Sequence, residues 1–158
     1  MKHFSLKQIL TVIALWGVVV GTAQPTTIVS IIPQPAQLVQ HEGVYQLPEK
    51  LTIAYDATLK AQAEYLQELL AQSTGRIAVM KEGKKKGDIV LLVDAQAQKA
   101  EGYALSVTPK YVKITAADPS GAFYGIQSLL QLFPAEIYSQ KWQRMTEWKA
   151  PCVEVQDA

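Results

Sequence analysis

Cysteine and histidine are scarce in this 158-residue chain, and their scarcity excludes several kinds of chemistry. Cys152 has no partner for an internal disulfide, and one cysteine with two histidines lacks the ligand spacing of a zinc site. His41 has no serine or carboxylate motif that would make it part of a nucleophilic triad. We therefore predict no catalytic, cofactor-binding or metal-binding residue in this chain.

The chain also lacks an excess of charge of either sign, since its formal net charge is +1. One basic cluster stands out, at residues 81–86 in the stretch MKEGKKKGD. The cluster has no interleaved aromatic residue and no arginine, so we interpret it as a solvated loop. A contact with an anionic polymer is the alternative, and no nucleic-acid partner is predicted.

No apolar run reaches the roughly 20 residues that a membrane-spanning helix needs. The apolar run at residues 9–20 follows Lys2 and Lys7 and precedes Gly21-Thr22-Ala23. This pattern is typical of a secretory signal peptide cleaved after Ala23. We expect residues 1–23 to be removed, and the mature protein to be exported to a periplasm or the cell exterior without a membrane span. Loss of Lys2 and Lys7 would change the formal charge to −1.

The rest of the chain predicts a sheet with two helices. Residues 28–56 contain several short strand candidates, interrupted by three prolines and Gly43. Residues 56–75 have apolar residues at three- and four-residue steps, which predicts a helix with Asp56 or Thr58 as N-cap and Gly75 beyond its end. Residues 76–80 form a weak strand candidate. Residues 88–93 are apolar enough for a central strand with a layer on each face.

Residues 101–134 predict a hairpin that leads directly into a helix. Alternating residues at 103–107 and 112–116 indicate two antiparallel strands. Asp118 is then the expected N-cap, Pro119 the first helical residue, and Pro134 the stop. The apolar stripe of this helix consists of Ala122, Ile126, Leu129, Leu130 and Phe133.

Two glycines in this helix need an explanation, because glycine costs up to about 1 kcal/mol relative to alanine there. We interpret Gly121 and Gly125 as sites of close packing, with anion binding at the helix N-terminus as the alternative. Tyr124, Gln127 and Gln131 share another face, which either meets water or contacts a partner. In the tail, Trp142 and Trp148 are either a sugar platform or, as we favour, part of a flap over the core.

Three sequence pieces carry a resemblance to a known family. They are IIPQP with GVYQL at residues 31–47, EGYALSV at 101–107, and GAFYGIQSLLQL at 121–132. The chain resembles the non-catalytic N-terminal domain of family 20 glycoside hydrolases, the beta-N-acetylhexosaminidases. The resemblance implies an α/β (α+β) fold, with one largely antiparallel sheet backed by two helices on one face. It implies an accessory domain at 24–134, and a connection at 135–158 toward a catalytic (β/α)-barrel beyond Ala158.

In this family an adjacent Asp-Glu pair in the barrel works with the acetamido group of the substrate. This sequence contains no adjacent Asp-Glu, so no catalytic residue is carried over. The resemblance thus implies an accessory domain of an exported beta-N-acetylhexosaminidase, inert by itself, that meets glycan only through the barrel. Tyr124, Gln127 and Gln131 are the expected contacts with that barrel. The alternatives are a stand-alone module that binds N-acetylhexosamine glycans, and a docking partner of a separately encoded barrel.

Overall fold

The computed structural model describes residues 29–83, 85–94, 96 and 99–157, so the predicted signal peptide lies outside the described residues. The described chain forms a sheet of seven strands with two α-helices and two short 3-10 helices. In chain order the elements are β1 (Gln37–Gln46), β2 (Thr52–Tyr55), η1 (Ala57–Leu59), α1 (Lys60–Thr74), β3 (Val79–Glu82), β4 (Ile89–Val93), β5 (Tyr103–Val107), β6 (Val112–Ala116), α2 (Pro119–Leu132), η2 (Ala135–Tyr138) and β7 (Lys149–Asp157).

The strands follow the order β1-β7-β5-β6-β4-β2-β3 in a single sheet. This confirms the predicted α/β class with one sheet and two helices. The sheet is mixed, however, and not largely antiparallel: β1, β7, β5 and β6 pair antiparallel, whereas β6, β4, β2 and β3 pair parallel. The parallel half follows from α1, because a helical crossover returns the chain to the same end of the sheet.

The hairpin and the second helix form where the sequence predicts them. β5 and β6 pair from Tyr103 opposite Ala116 to Val107 opposite Val112. The Asp118 carboxylate accepts a hydrogen bond from the Gly121 N–H at 2.9 Å, and Pro119 is the first residue of α2. Hydrogen bonds from the backbone of Gly121 and Glu101 lower the pKa of Asp118. Local capping chemistry therefore fixes the start of α2.

The first helix begins differently from the prediction. Residues 57–59 form a 3-10 turn, and the Asp56 side chain makes no capping hydrogen bond. Its carboxylate instead accepts a hydrogen bond from the Val93 N–H at 2.8 Å, which ties η1 to β4. Gly75 ends α1 as predicted, in the left-handed region at φ 70° that glycine adopts without strain.

Gly43 does not break the first strand as predicted. β1 runs for ten residues, and its register against β7 shifts between Gln40 and Val44. Gly43 lies in this irregular segment at φ 103°. A Cβ there would lie 3.3 Å from Pro109 Cγ and 3.5 Å from Cys152 Sγ. A β-bulge of this kind keeps a strand continuous while adding residues to one side.

β7 corrects the predicted domain boundary at residue 134. It lies between β1 and β5 and pairs with both, so residues 149–157 belong to the sheet and not to a connection. Val153 and Val155 are buried in the core, and Cys152 is buried as well. Burial raises the pKa of the Cys152 thiol. The first two strands of the sheet order, β1 and β7, thus come from opposite ends of the described chain.

The helices cover one face of the sheet. Ile89 and Leu91 of β4 are fully buried in the core cluster on this side. Val90 points to the other face and is 5% exposed, because residues 85–87 pass over that part of the sheet. The predicted second layer is therefore only a loop in the described part of the chain. Within the described residues, none of the helices has the length and apolar character of a membrane span.

Candidate functional site

α2 lies unusually close to the sheet at its two glycines. A Cβ on Gly121 would lie 2.4 Å from the Gly102 carbonyl oxygen. A Cβ on Gly125 would lie 2.7 Å from Ile114 Cγ2 and 3.1 Å from the Tyr103 ring. Both glycines are buried on the sheet side of α2, so their position fits close packing. An anion at Gly121 would have no space on this side of the helix.

A buried hydrogen bond follows on the same side of α2. The Tyr103 hydroxyl and the Ser128 hydroxyl lie 2.6 Å apart. Burial raises the pKa of Tyr103, so the phenol stays neutral at physiological pH. This bond satisfies two polar groups inside the core and therefore has a structural explanation.

The outer face of the helix layer carries exposed aromatic side chains. Tyr65 of α1, Phe123 and Tyr124 of α2, and Tyr138 of η2 form what we call the aromatic patch. Their exposures range from 37% for Tyr65 to 51% for Tyr138. Ring centroids lie 5.5 Å apart for Tyr65 and Phe123, and 6.2 Å apart for Phe123 and Tyr124. Such a cluster of half-exposed rings is typical of an interaction surface.

Gln127 holds the two helices of the patch together. Its Nε2 donates a hydrogen bond to the Tyr65 hydroxyl at 3.1 Å. Burial raises the pKa of Tyr138, and the electrostatic influence of nearby Tyr65 raises it further. The three elements α1, α2 and η2 therefore present one continuous surface.

A shallow groove opens beside the patch. Its lining consists of Gln62, Pro119, Ser120, Phe123 and Tyr124. The Gln62 Oε1 is buried, and it has no hydrogen-bond partner among the described residues. Because buried polar atoms are nearly always hydrogen-bonded, this acceptor stands out in the surface.

Gln131 has a different role from its two predicted companions. Its Oε1 accepts a hydrogen bond from the Ile32 N–H at 2.8 Å, and its Nε2 donates to the Ile32 carbonyl at 3.0 Å. The side chain therefore clamps the segment before β1 against α2. Of the three predicted interface residues, the structure brings Tyr124 and Gln127 into the patch and places Gln131 at this clamp.

The two tail tryptophans lie in different environments. Trp148 is 2% exposed and packs in the core, so it offers no ring face to a sugar. Trp142 is exposed, but its ring lies against Gly75, and the Arg144 guanidinium carbon sits 4.5 Å from its centroid. The pair does not form the sugar platform considered from the sequence. Trp148 fits the flap interpretation.

The described part of the chain holds no cluster of three metal-ligating side chains. Exposed His41 lies in β1, in the irregular segment next to Gly43.

The family model of glycosyl hydrolase family 20, domain 2, matches residues 29–158. The chain belongs to this family. Its matched region corresponds to the domain 2 module and covers most of the chain. This assignment agrees with the resemblance found in the sequence, which includes GAFYGIQSLLQL in α2 and EGYALSV at β5.

Two curated relatives are beta-hexosaminidases. The protein of Porphyromonas gingivalis is 32% identical over 133 residues, which is 82% of this chain and 17% of the relative. The protein of Vibrio vulnificus is 31% identical over 105 residues, which is 65% of this chain and 12% of the relative. A solved structure of Streptomyces plicatus N-acetyl-beta-hexosaminidase has a TM-score of 0.73 at 29% identity, over 80% of this chain and 26% of that one.

The family 20 chain thus spans about a sixth or less of the curated relatives it matches. In such homologues the domain lies N-terminal to the catalytic domain of a larger enzyme.

Sequence reasoning missed most of the aromatic patch. It singled out Tyr124 but not Phe123. Phe123 is next to Ala122 of the apolar stripe, so its place in the sequence does not indicate exposure. Tyr65 carried a usable signal, because it is an aromatic residue outside the buried stripe of α1. Tyr138 lies in a 3-10 turn, where helical periodicity gives no indication of exposure.

Proposed function

We propose that this chain is the accessory N-terminal domain of an exported beta-N-acetylhexosaminidase and is catalytically inert by itself. The observation that carries the proposal is the match to domain 2 over residues 29–158. In the proposed enzyme, a (β/α)-barrel C-terminal to Ala158 hydrolyses terminal N-acetylhexosamine residues with help from the acetamido group of the substrate. Export rests on the signal-peptide pattern of residues 1–23.

The aromatic patch supports a docking role for the helix layer. Tyr65, Phe123, Tyr124 and Tyr138 would be covered by the barrel, which would remove their half-exposed rings from water. Gln127 would order this surface through its bond to Tyr65. The unpartnered Gln62 Oε1 in the adjoining groove would accept a hydrogen bond from the barrel. Gln131 would act indirectly, by holding the segment at Ile32.

The decisive test starts from the DNA that follows codon 158. We expect it to encode a barrel with an adjacent Asp-Glu pair. The longer protein should release 4-nitrophenol from 4-nitrophenyl N-acetyl-beta-glucosaminide, whereas the present chain should not. A stop codon followed by unrelated sequence would rule out the single-chain enzyme and leave docking on a separate barrel. Turnover by the purified present chain would overturn its proposed inertness.

The docking step is tested within the longer protein by a matched pair of tyrosine substitutions. Tyr124→Asp places a charge in the aromatic patch and should lower the melting temperature of the barrel by about 4 °C or more. Tyr111→Asp changes a tyrosine of similar exposure, 40% against 45%, on the opposite face of the sheet. Equal effects of the two substitutions on the barrel would argue against docking through the helix layer.

A further inference from the structure

On the sheet face opposite the helices, four side chains from four neighbouring strands form a row. Lys81 of β3 pairs with Ala54 of β2, Ala54 pairs with Val90 of β4, and Val90 pairs with Lys113 of β6. Because side chains alternate along each strand, these four share the face away from α2. Two buried apolar residues therefore lie between two lysines.

The loop after β3 passes over this row and makes a cavity. A Cβ on Gly87 would lie 3.2 Å from Ala54 Cβ, so the loop backbone rests directly on the sheet. The resulting cavity has a volume of about 380 Å³ and is lined by Lys85, Lys86, Gly87, Val90, Tyr111 and Lys113. Such a volume is within the range of small-molecule sites, roughly 300–1,000 Å³.

The charged side chains that line the cavity are of one sign. Among the described residues, Lys85, Lys86 and Lys113 line it and no carboxylate does, and none of these three lysines forms an ion pair with a described residue. The acidic residue that ends the loop, Asp88, is already engaged, because its Oδ2 accepts hydrogen bonds from the Thr52 N–H and hydroxyl. Three ammonium groups around one cavity leave a positive potential that an anion would neutralise.

An aromatic ring completes the cavity wall. Tyr111 comes from the turn just before β6, not from the loop itself, and is 40% exposed. The sequence cluster at residues 81–86 lacked an aromatic partner, and the fold supplies one. A tyrosine ring and the apolar Val90 in one lining offer a surface to a ring-shaped ligand, and the tyrosine hydroxyl adds a polar group.

We propose that this cavity binds a sugar bearing a carboxylate or sulfate group, with the lysines on the anion and Tyr111 against the sugar ring. The anion is inferred from the lysines alone, whereas the choice of a saccharide rests on the proposed function. The cavity lies on the face away from the aromatic patch, so docking of the helix layer would leave it open. It would hold acidic glycan at a distance from the catalytic barrel.

Titration of the purified protein, followed through amide chemical shifts of Gly87, Val90 and Lys113, tests the proposal. The probes are N-acetylglucosamine 6-sulfate, glucuronic acid, neutral N-acetylglucosamine and sodium sulfate. We expect saturable shifts for one or both acidic sugars, which identifies the anion, and weaker binding as the salt concentration rises. Equal binding of neutral N-acetylglucosamine would overturn the anion assignment. Equal binding of sodium sulfate would overturn the sugar assignment. No saturable shift with any probe would overturn both.

Substitutions locate the binding. Lys113→Gln and Lys86→Gln should each weaken binding of the acidic sugar about three- to tenfold, as expected for loss of one charge-assisted contact. Tyr111→Leu should weaken the acidic sugars but not any residual binding of sodium sulfate. Lys60→Gln, which changes an exposed lysine on α1, is the control and should leave binding unchanged.

Near-UV circular dichroism shows whether each variant keeps the fold. If the sheet variant Lys113→Gln unfolds, the loop variant Lys86→Gln still decides the question. Unchanged affinity in a folded Lys86→Gln protein would overturn the site. This test does not depend on the parent enzyme. If no barrel is encoded downstream and the chain still binds N-acetylglucosamine 6-sulfate, the proposed function is overturned and this site is supported.

Discussion

At the scale of single residues, Gly121 shows how a missing side chain sets the position of a helix. Its two nearest obstacles to a Cβ are the backbone carbonyl oxygens of Gly102 and Glu101, at 2.4 and 2.8 Å. A backbone in the loop before β5 cannot move aside as a flexible side chain can. At Gly125 the obstacles are side-chain atoms of Ile114 and Tyr103, which are buried but are not backbone. The two glycines therefore differ in the freedom of their surroundings.

Gly121→Ala is therefore expected to destabilise the protein, although alanine favours a helix by about 1 kcal/mol. Overpacking against backbone should cost more than this gain, for a net loss of about 2 kcal/mol in the free energy of unfolding. Gly125→Ala should cost less. Urea denaturation gives the free energy of unfolding of the unchanged protein and of both glycine variants. Ser120→Ala, at an exposed neighbouring position, is the control. An increase in stability for Gly121→Ala would contradict the close packing.

At the scale of elements, the sequence predicts whatever is decided locally. The start of α2 depends on Asp118, Pro119 and amides within three residues, so the caps were predictable. The bulge at Gly43 arises in the pairing of β1 with β7, which lies more than a hundred residues later, and no local pattern predicts it. The aromatic patch escaped prediction for the same reason, since Tyr65 and Phe123 meet only after both helices pack. The lysine-lined cavity also joins the loop at residues 85–87 to a ring from the turn before β6.

The clamp between Gln131 and Ile32 is a contact of this non-local kind. Ile31 anchors the segment in the core, whereas the Ile32 side chain is 78% exposed and adds little burial. Gln131→Ala removes both hydrogen bonds, so amide exchange at Ile32 should accelerate about tenfold. Gln127→Ala is the control, because that side chain bonds Tyr65 instead. Hydrogen exchange followed by NMR provides the measurement, and unchanged exchange at Ile32 in Gln131→Ala would refute the clamp.

At the scale of the whole molecule, the sheet places two surfaces back to back. The helices on one face carry the aromatic patch, and the other face carries the lysine-lined cavity beside Tyr111. β7 holds this arrangement together, because it pairs with β1 from the start of the described chain and with β5 from its middle. The sequence indicated a strand at Val153–Val155 but not its place, since the partner of a strand follows from packing rather than from local pattern.

A chain that ends at Trp148 tests whether β7 is part of the folding unit. Its loss would expose the edges of β1 and β5 and remove the buried Ala150, Val153 and Val155. The lost burial alone is on the order of 5 kcal/mol, comparable with the 5–15 kcal/mol that stabilises a whole domain. The shortened chain should therefore show no cooperative urea transition by circular dichroism. A chain that ends at Asp157, and Glu154→Ala on the open face of β7, should both keep the transition. Cooperative unfolding of the shortened chain at the original midpoint would show that the fold does not need residues 149–157, as the predicted connection implies.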